Sequence, residues 1–264
     1  MLEGEGGNIA ASVGFDGVVI VDDQYAPLAE KIRAALQGIT DKPLRFVINT
    51  HYHFDHAGGN ERFGGEATIV AHDNVRRRLM TGGWGGNGGA VKFESAPGVP
   101  TALPVVTFGA TLTLYLNGED IRAMHYPAAH TDGDSVVFFT RSNVVHMGDN
   151  FVTYGFPFVD RLAGGSVKGM IAACDGVIAQ LPNNVTIIPG HGPVSSLADL
   201  QRYVDMLKAV YAAVEKEVKA GKSLQQLKDA KVLEPWKQYN GTFISSDAFI
   251  ETLHDEFVGS APAA

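Results

Sequence analysis

The sequence predicts an α/β protein in which two β-sheets pack together and helices cover the outer face of each sheet. Short apolar runs typical of strands recur along the chain, and amphipathic helical patterns lie between and after them. At 264 residues, with 45% apolar and 19% charged residues, the chain can bury a sizeable core. No stretch has the composition of a linker, so we predict a single domain over residues 1–264.

The N-terminal half is predicted to alternate strands with helices. Leu28, Ile32 and Leu36 recur every four residues, which predicts a helix over about 25–37 that ends at Gly38. A second helix is expected at about 72–80. The predicted strands here are 9–14, 17–22, 44–49 and 67–71.

The second half continues with strands and ends with helices. Residues 111–116 alternate apolar and polar side chains, as a half-buried strand does. Further strands are predicted at 121–126, 135–140, 144–147 and 185–188. The predicted helices are 166–180, 197–219, 223–230 and 245–257, and the longest of them carries apolar residues at intervals of three or four.

A dense group of metal-ligating side chains follows the predicted strand at 44–49. His51 and His53, two residues apart on extended backbone, project to the same side and can share an ion. Asp55 and His56 lie just past the bend, so we expect them to serve a second ion beside the first. Imidazole and carboxylate are ligands that a borderline-soft divalent ion such as zinc prefers. A polar surface loop is the alternative interpretation.

Three further candidate ligands lie near strand ends downstream. His130 opens a turn before the strand at 135, while Asp149 and His191 each follow a short apolar run. Glycines flank these positions and allow the backbone to come close to an ion. We therefore predict that these residues join the group at 51–56 in one metal site.

The pattern His51-x-His53-x-Asp55-His56, followed by His130, Asp149 and His191, resembles the metallo-β-lactamase superfamily of di-metal hydrolases. The resemblance runs from about residue 9 to 195, and every ligand position is present in order. It implies an αβ/βα four-layer sandwich, the metallo-β-lactamase fold, with the metals at one edge between the two sheets.

The resemblance also implies two Zn²⁺ ions per chain. The ligands carried over are His51, His53 and His130 for the first ion, Asp55, His56 and His191 for the second, and Asp149 as the bridge. Zinc lowers the pKa of bound water to about 7, so a hydroxide held by the metals would attack a carbonyl carbon at neutral pH. Asp55 would orient that nucleophile or move its proton, and Asp55 and Asp149 are accordingly the predicted catalytic residues.

The leading substrate class is a small cyclic amide, a β-lactam, with weak or promiscuous β-lactamase activity included. Lactonase and glyoxalase II-like thioesterase activities are the alternatives, because the Asp149 bridge is typical of those relatives. Lactamases with a cysteine at this position are disfavoured. A mono-iron persulfide dioxygenase and a non-catalytic metal-binding protein are the alternatives from other classes.

Several other residues are candidates for the site. In the glycine-rich stretch 82–89, Trp84 is predicted to cover a bound substrate. The alternative is a flexible connecting loop in which the aromatic residue has no function. Asn150 and Tyr154 are candidate hydrogen-bond donors to the substrate, with simple loop packing as the alternative. Asp132 and Asp134 are candidate acceptors for the ligand imidazole N–H groups.

Composition limits the partners. A net charge of −8 and a pI near 5.5 argue against nucleic acid. No apolar run approaches the roughly twenty residues of a membrane span, so we expect a small-molecule substrate and no membrane, and leave the oligomeric state open. The resemblance extends to exported lactamase-like hydrolases. We therefore expect a periplasmic or secreted protein whose signal peptide is missing from this sequence, with the cytoplasm as the alternative.

Overall fold

Two β-sheets face each other in the computed structural model, which describes residues 1–86 and 92–259. The strands, in chain order, are β1 (Ala10–Gly14), β2 (Gly17–Val21), β3 (Leu44–Ile48), β4 (Thr68–His72), β5 (Gly83–Gly86), β6 (Lys92–Ser95), β7 (Val106–Phe108), β8 (Thr111–Leu116), β9 (Glu119–His125), β10 (Ser135–Phe139), β11 (Val144–His146), β12 (Thr186–Ile188) and β13 (Ser195–Ser196). The α-helices are α1 (Ala29–Gln37), α2 (Phe54–Ala57), α3 (Asn60–Phe63), α4 (Asp73–Thr81), α5 (Val167–Ile178), α6 (Leu197–Lys219), α7 (Leu224–Asp229) and α8 (Ser246–Val258).

The two large sheets differ in strand direction. The first has the order β1-β2-β3-β4-β7 and is parallel except for the hairpin of β1 and β2. The second has the order β13-β12-β11-β10-β9-β8 and is antiparallel except where β11 runs parallel to β12. Strands β5 and β6 form a separate antiparallel hairpin.

Alternation along β2 shows how the layers are built. Val19 and Val21 enter the core between the two sheets, whereas Val18 and Ile20 pack on the other face against α1. This two-residue period is what an extended strand imposes. Because β2 is buried on both faces, it carries apolar residues throughout.

Helices α5, α6 and α8 cover the outer face of the second sheet. The core between them contains Val136 of β10, Cys174 of α5 and Leu207 of α6. Ser196 begins α6 with a capping box, since its hydroxyl accepts from Asp199 N while the Asp199 carboxylate accepts from Ser196 N. No helix in the described ranges is long and apolar enough to span a bilayer.

The four-layer sandwich is the predicted fold, and most predicted elements occur within one or two residues of their expected bounds. The glycine-rich stretch is the main difference, because residues 83–86 form a strand in place of an irregular loop. Strand pairing uses backbone groups, so it occurs here without the β-branched or aromatic pattern that would reveal it in the sequence. Residues 87–89 of that stretch lie outside the described residues.

Candidate metal centre

The predicted ligands converge where the ends of the two sheets meet. His51 and His53 follow β3, and His53 is the N-cap of the one-turn helix α2, which carries Asp55 and His56. His130 lies between β9 and β10, Asp149 sits in a 3₁₀ turn after β11, and His191 follows β12. Sites commonly form in this way, on loops held by a rigid sheet scaffold.

The seven predicted ligand residues form three overlapping groups whose ligand atoms lie within 4.8 Å of one another. The groups are His51, His53 and His130; His51, His56 and Asp149; and Asp55, His56 and His191. The first and third groups coincide with the two predicted ligand sets, and the second joins them through Asp149.

In the first group, three imidazole nitrogens face one another. His53 Nδ1 lies 3.1 Å from His51 Nε2 and 2.9 Å from His130 Nε2. The outer nitrogens have acceptors: the Asp160 carboxylate lies 2.9 Å from His53 Nε2, and the Phe158 carbonyl lies 2.9 Å from His130 Nδ1. These acceptors place the imidazole protons on the outside, so the inward nitrogens present lone pairs.

Asp22 orients ligands of both sets. Its Oδ2 accepts from His56 Nδ1 at 2.7 Å and from the Thr50 hydroxyl at 2.8 Å. Because Thr50 donates its proton to Asp22, its oxygen accepts from His51 Nδ1 at 3.0 Å. One buried carboxylate therefore fixes the ring orientation of both His51 and His56.

Asp149 lies between the two ligand sets. Its Oδ1 is 3.1 Å from His56 Nε2, and its Oδ2 is 3.5 Å from His191 Nε2 and 3.8 Å from His130 Nε2. Asp55 closes the second set, with Oδ2 at 3.2 Å from His191 Nε2. The cluster thus holds two carboxylates among five imidazoles, a donor set suited to divalent zinc.

The pKa values of the ligand histidines differ according to the charges around each ring. Burial lowers the pKa of His51 well below its usual value and that of His130 to about 4, and the charges of neighbouring histidines act in the same direction. Burial also acts to lower the pKa of His191, but the Asp149 and Asp55 carboxylates outweigh it and raise that pKa to about 9. His51 and His130 are therefore neutral at pH 7, as metal ligation requires.

Two glycines allow this close packing. A Cβ at Gly190 would overlap Asp149 Oδ1, and a Cβ at Gly7 would overlap the His56 ring. We predicted that glycines beside the ligands let the backbone come close to the site. Gly190, directly before His191, confirms this. Gly7 lies in the N-terminal segment and was not part of the prediction.

The predicted imidazole acceptors are corrected by the structure. Asp134 binds the Thr131 hydroxyl and backbone N–H, and Asp132 pairs with Arg78, so neither carboxylate contacts a ligand imidazole. The carboxylates found there are Asp22 and Asp160, neither of which is among the residues predicted from the sequence. Asp22 lies 34 residues from His56 along the chain, and Asp160 lies 107 residues from His53, so neither contact could be predicted from neighbouring sequence. One feature of the sequence could have indicated Asp22: the pair Asp22-Asp23 directly follows the apolar run of β2, where a carboxylate is expected to lie at a sheet end.

The three predicted substrate contacts have different positions. Tyr154 lines a cavity beside the ligands, together with Asp55, Asp149 and His191. Asn150 is buried, donates to the Met147 carbonyl at 3.3 Å and is not part of that cavity wall. Trp84 lies outside the wall as well, with Lys92 over its ring, whereas Phe93 on the facing strand β6 does line the cavity.

Comparisons with known proteins agree with this geometry. A family model described as metallo-beta-lactamase superfamily matches residues 16–204. Two probable hydroxyacylglutathione hydrolases of Schizosaccharomyces pombe are 29% identical over 56% of this chain and 28% identical over 62% of it. The chain spans 48% and 59% of their lengths, about half of each relative.

Solved structures share the fold at low sequence identity. A metallo-beta-lactamase from Pontibacter korlensis superposes with a TM-score of 0.59 at 17% identity, over 75% of this chain and 85% of that one. The DIM-1 metallo-beta-lactamase gives a TM-score of 0.59 at 16% identity over the same shares of the two chains. At such identities the match concerns architecture, so the chemistry must be argued from the site.

Proposed function

The chain belongs to the metallo-beta-lactamase superfamily, and on that premise we propose that it is a di-zinc hydrolase that opens a small cyclic ester or amide. One observation carries the proposal: three buried imidazole nitrogens turn their lone pairs inward, and His53 Nδ1 lies about 3 Å from each of the other two. Lone pairs at that distance repel one another, and a cation between them converts the repulsion into ligation.

The residues present fit two zinc ions. His51, His53 and His130 would hold one, and Asp55, His56 and His191 the other, with Asp149 shared between them. Asp149 Oδ1 is buried and accepts no hydrogen bond in the described structure, because the nearby His56 ring donates to Asp22 through Nδ1 and turns Nε2 toward Asp149. An unsatisfied buried oxygen of this kind is expected of a cation ligand. When bound, zinc supplies Lewis acidity toward a carbonyl oxygen and lowers the pKa of water to about 7.

Asp55 is the residue we assign to proton transfer. Burial raises the pKa of its carboxyl, but the charge of His56 and the hydrogen bond from His191 outweigh burial and lower it. The ionised carboxylate lines the cavity and can accept a proton from an attacking water.

Tyr154 is the residue we assign to the carbonyl oxygen. Burial and the charge of Asp149 raise the pKa of its phenol well above the usual value, so the group stays protonated. Its oxygen accepts from Phe158 N at 3.5 Å, which fixes the hydroxyl at the cavity wall. The O–H can then donate to the oxyanion that develops on the substrate.

The same cavity admits more than one class of carbonyl substrate. β-Lactam is the sequence-based first choice, and the hydroxyacylglutathione hydrolase relatives support an ester or thioester as the alternative. All three classes present a carbonyl carbon to the same residues, so turnover has to distinguish them.

The test combines metal content with turnover of a chromogenic β-lactam, a neutral γ-lactone and an S-acyl thioester. Each is measured on the purified protein, after chelation and after zinc return. We expect two zinc ions per chain and hydrolysis of at least one substrate that disappears on chelation and returns with zinc. One bound iron, or hydrolysis that survives chelation, would contradict the proposal.

A further inference from the structure

The cavity beside the ligands has an unusually uniform wall. It encloses about 520 Å³, within the range of roughly 300–1,000 Å³ typical of small-molecule sites. Apart from His53, Asp55, Asp149 and His191, every described residue that lines it is aromatic: Tyr25, Phe54, Phe93, Tyr154, Phe158 and Phe243. We call these six residues the aromatic collar.

The rings of the collar are in continuous contact. Starting from Tyr25, successive ring centroids are separated by 5.6 Å to Phe54, 5.9 Å to Phe93, 6.3 Å to Phe158, 5.9 Å to Phe243 and 5.9 Å to Tyr154. Tyr154 in turn lies 5.8 Å from the His191 ring. The collar therefore runs from one side of the ligand cluster to the other, and a substrate bound in this cavity lies against it.

Two collar members are exposed at the mouth. Phe54 is 52% exposed and Phe243 is 55% exposed, although both side chains are large and apolar. They come from segments far apart in the chain, one on α2 and the other just before α8. Exposed aromatic rings that line one cavity are typical of a binding site.

The described part of the cavity wall also has no permanently cationic side chain that could receive an anion. Among the described residues that line it there is no lysine or arginine, and residues 87–91 contain none in the sequence. The nearby Lys92 lies over the Trp84 ring. The wall contains two carboxylate side chains instead, those of Asp55 and Asp149.

From the collar and this charge distribution we infer that the substrate is uncharged and carries an extended apolar group beside its scissile carbonyl. The inference rests on the proposed hydrolase function and narrows its substrate class. A carboxylate at the far end of the substrate would have to enter an aromatic cavity without a partner, which is unfavourable. Neutral esters and lactones with an alkyl or aryl substituent are therefore favoured over β-lactams and glutathione thioesters that carry carboxylates.

The experiment uses three γ-lactones with the zinc-loaded protein: γ-butyrolactone, a γ-alkyl lactone with a six-carbon chain, and the same chain ending in a carboxylate. Each buried methylene contributes about 0.8 kcal/mol, which corresponds to roughly a fourfold gain. We expect kcat/KM to rise at least a hundredfold from the first lactone to the second and to fall at least tenfold from the second to the third. Equal or faster hydrolysis of the carboxylate-ended lactone overturns the inference.

A pair of variants assigns the effect to the collar. Phe243→Ala removes an exposed ring of the collar and should reduce the gain from the alkyl chain at least fivefold. Phe243→Lys should raise kcat/KM for the carboxylate-ended lactone and lower it for the alkyl lactone. Phe15→Ala, which removes another exposed phenylalanine outside the collar (88% exposed), is the matched control and should change nothing.

Binding of an unreactive analogue separates this inference from the proposed function. The γ-lactam with the six-carbon chain should bind at least tenfold more tightly than its carboxylate-ended form, with a negative heat-capacity change measured by calorimetry. If no lactone is hydrolysed but this preference holds, the hydrolase proposal fails. If lactones are hydrolysed but the preference is absent, the inference about the collar fails.

Discussion

The Asp22 carboxylate accepts the Nδ1–H of His56 at 2.7 Å, although neither residue is exposed and 34 positions separate them in the chain. The same oxygen accepts the Thr50 hydroxyl, which connects it to His51. Asp22 therefore orients one imidazole of each ligand set, His51 in the first and His56 in the second.

Asp22→Asn should weaken zinc binding by about 10- to 100-fold, because the amide has a single acceptor oxygen. The carboxylate accepts from His56 and the Thr50 hydroxyl through Oδ2 and from Thr50 N through Oδ1. Affinity is measured by competition with a chelator of known strength. Asp23→Asn is the matched control, since Asp23 is also buried but accepts from Gly59 N. Equal losses in the two variants would show that Asp22 matters only for folding.

Asp160→Asn and Asp132→Asn test the corrected assignment of the imidazole acceptors. Asp160 accepts from His53 at 2.9 Å and from Tyr52 at 2.6 Å, so its substitution should lower zinc affinity about 10- to 100-fold. Asp132 pairs with the partly exposed Arg78, so its substitution should cost at most about 1 kcal/mol of unfolding free energy and leave zinc affinity unchanged. Metal competition and urea unfolding distinguish the two, and the reverse order of zinc affinities would refute the correction.

Tyr154→Phe should lower kcat by about two orders of magnitude at unchanged zinc content, because it removes one donor to the developing oxyanion. KM should change little, since the ring and its collar contacts remain. Tyr25→Phe lies on the same cavity wall and serves as the control, with kcat expected within about twofold of the parent. Stopped-assay kinetics on the best substrate give both constants. An unchanged kcat in Tyr154→Phe would exclude this role.

Acid should destabilise the fold through a stacked pair of histidines away from the cavity. The rings of His72 and His125 lie 3.6 Å apart, and burial lowers the pKa of each below the usual value of about 6.5. The unfolded chain therefore binds more protons than the folded one near pH 6. Stability is present above the unfolded pKa and is lost as pH falls through the lower folded values.

His72→Asn isolates this contribution, because asparagine keeps the N-cap acceptor that His72 Nδ1 offers to Asn74 N. Unfolding free energies from urea titrations between pH 7.5 and 5 should fall less steeply in the variant than in the parent. The difference between the two curves removes the contribution of the metal ligands, which titrate in both proteins. Parallel curves would show that the pair does not contribute.

The ligand residues could be predicted from sequence because each lies next to an apolar run or inside one short motif. His51 to His56 span six residues, and Asp149 and His191 directly follow buried strands. Asp22, Asp160 and the collar could not be found in this way, because their contacts join distant segments. Phe243, for example, meets Phe158 and Tyr154 only after α8 packs onto the second sheet. The local sequence pattern identifies a helix or a strand, whereas the residues that a side chain contacts depend on the tertiary fold.

The hairpin of β5 and β6 has one further consequence. Asp160 Oδ2 accepts from His53, and its Oδ1 accepts from Gly86 N at 2.8 Å, at the end of β5. The carboxylate that sets a ligand imidazole thus also anchors the strand pair that presents Phe93 to the cavity. Thermodynamic linkage is reciprocal, so whatever free energy couples metal occupancy to hairpin docking acts equally in both directions. A change that alters the docking of the hairpin, and with it the position of Phe93 in the cavity, should therefore also alter the affinity for the metal ion.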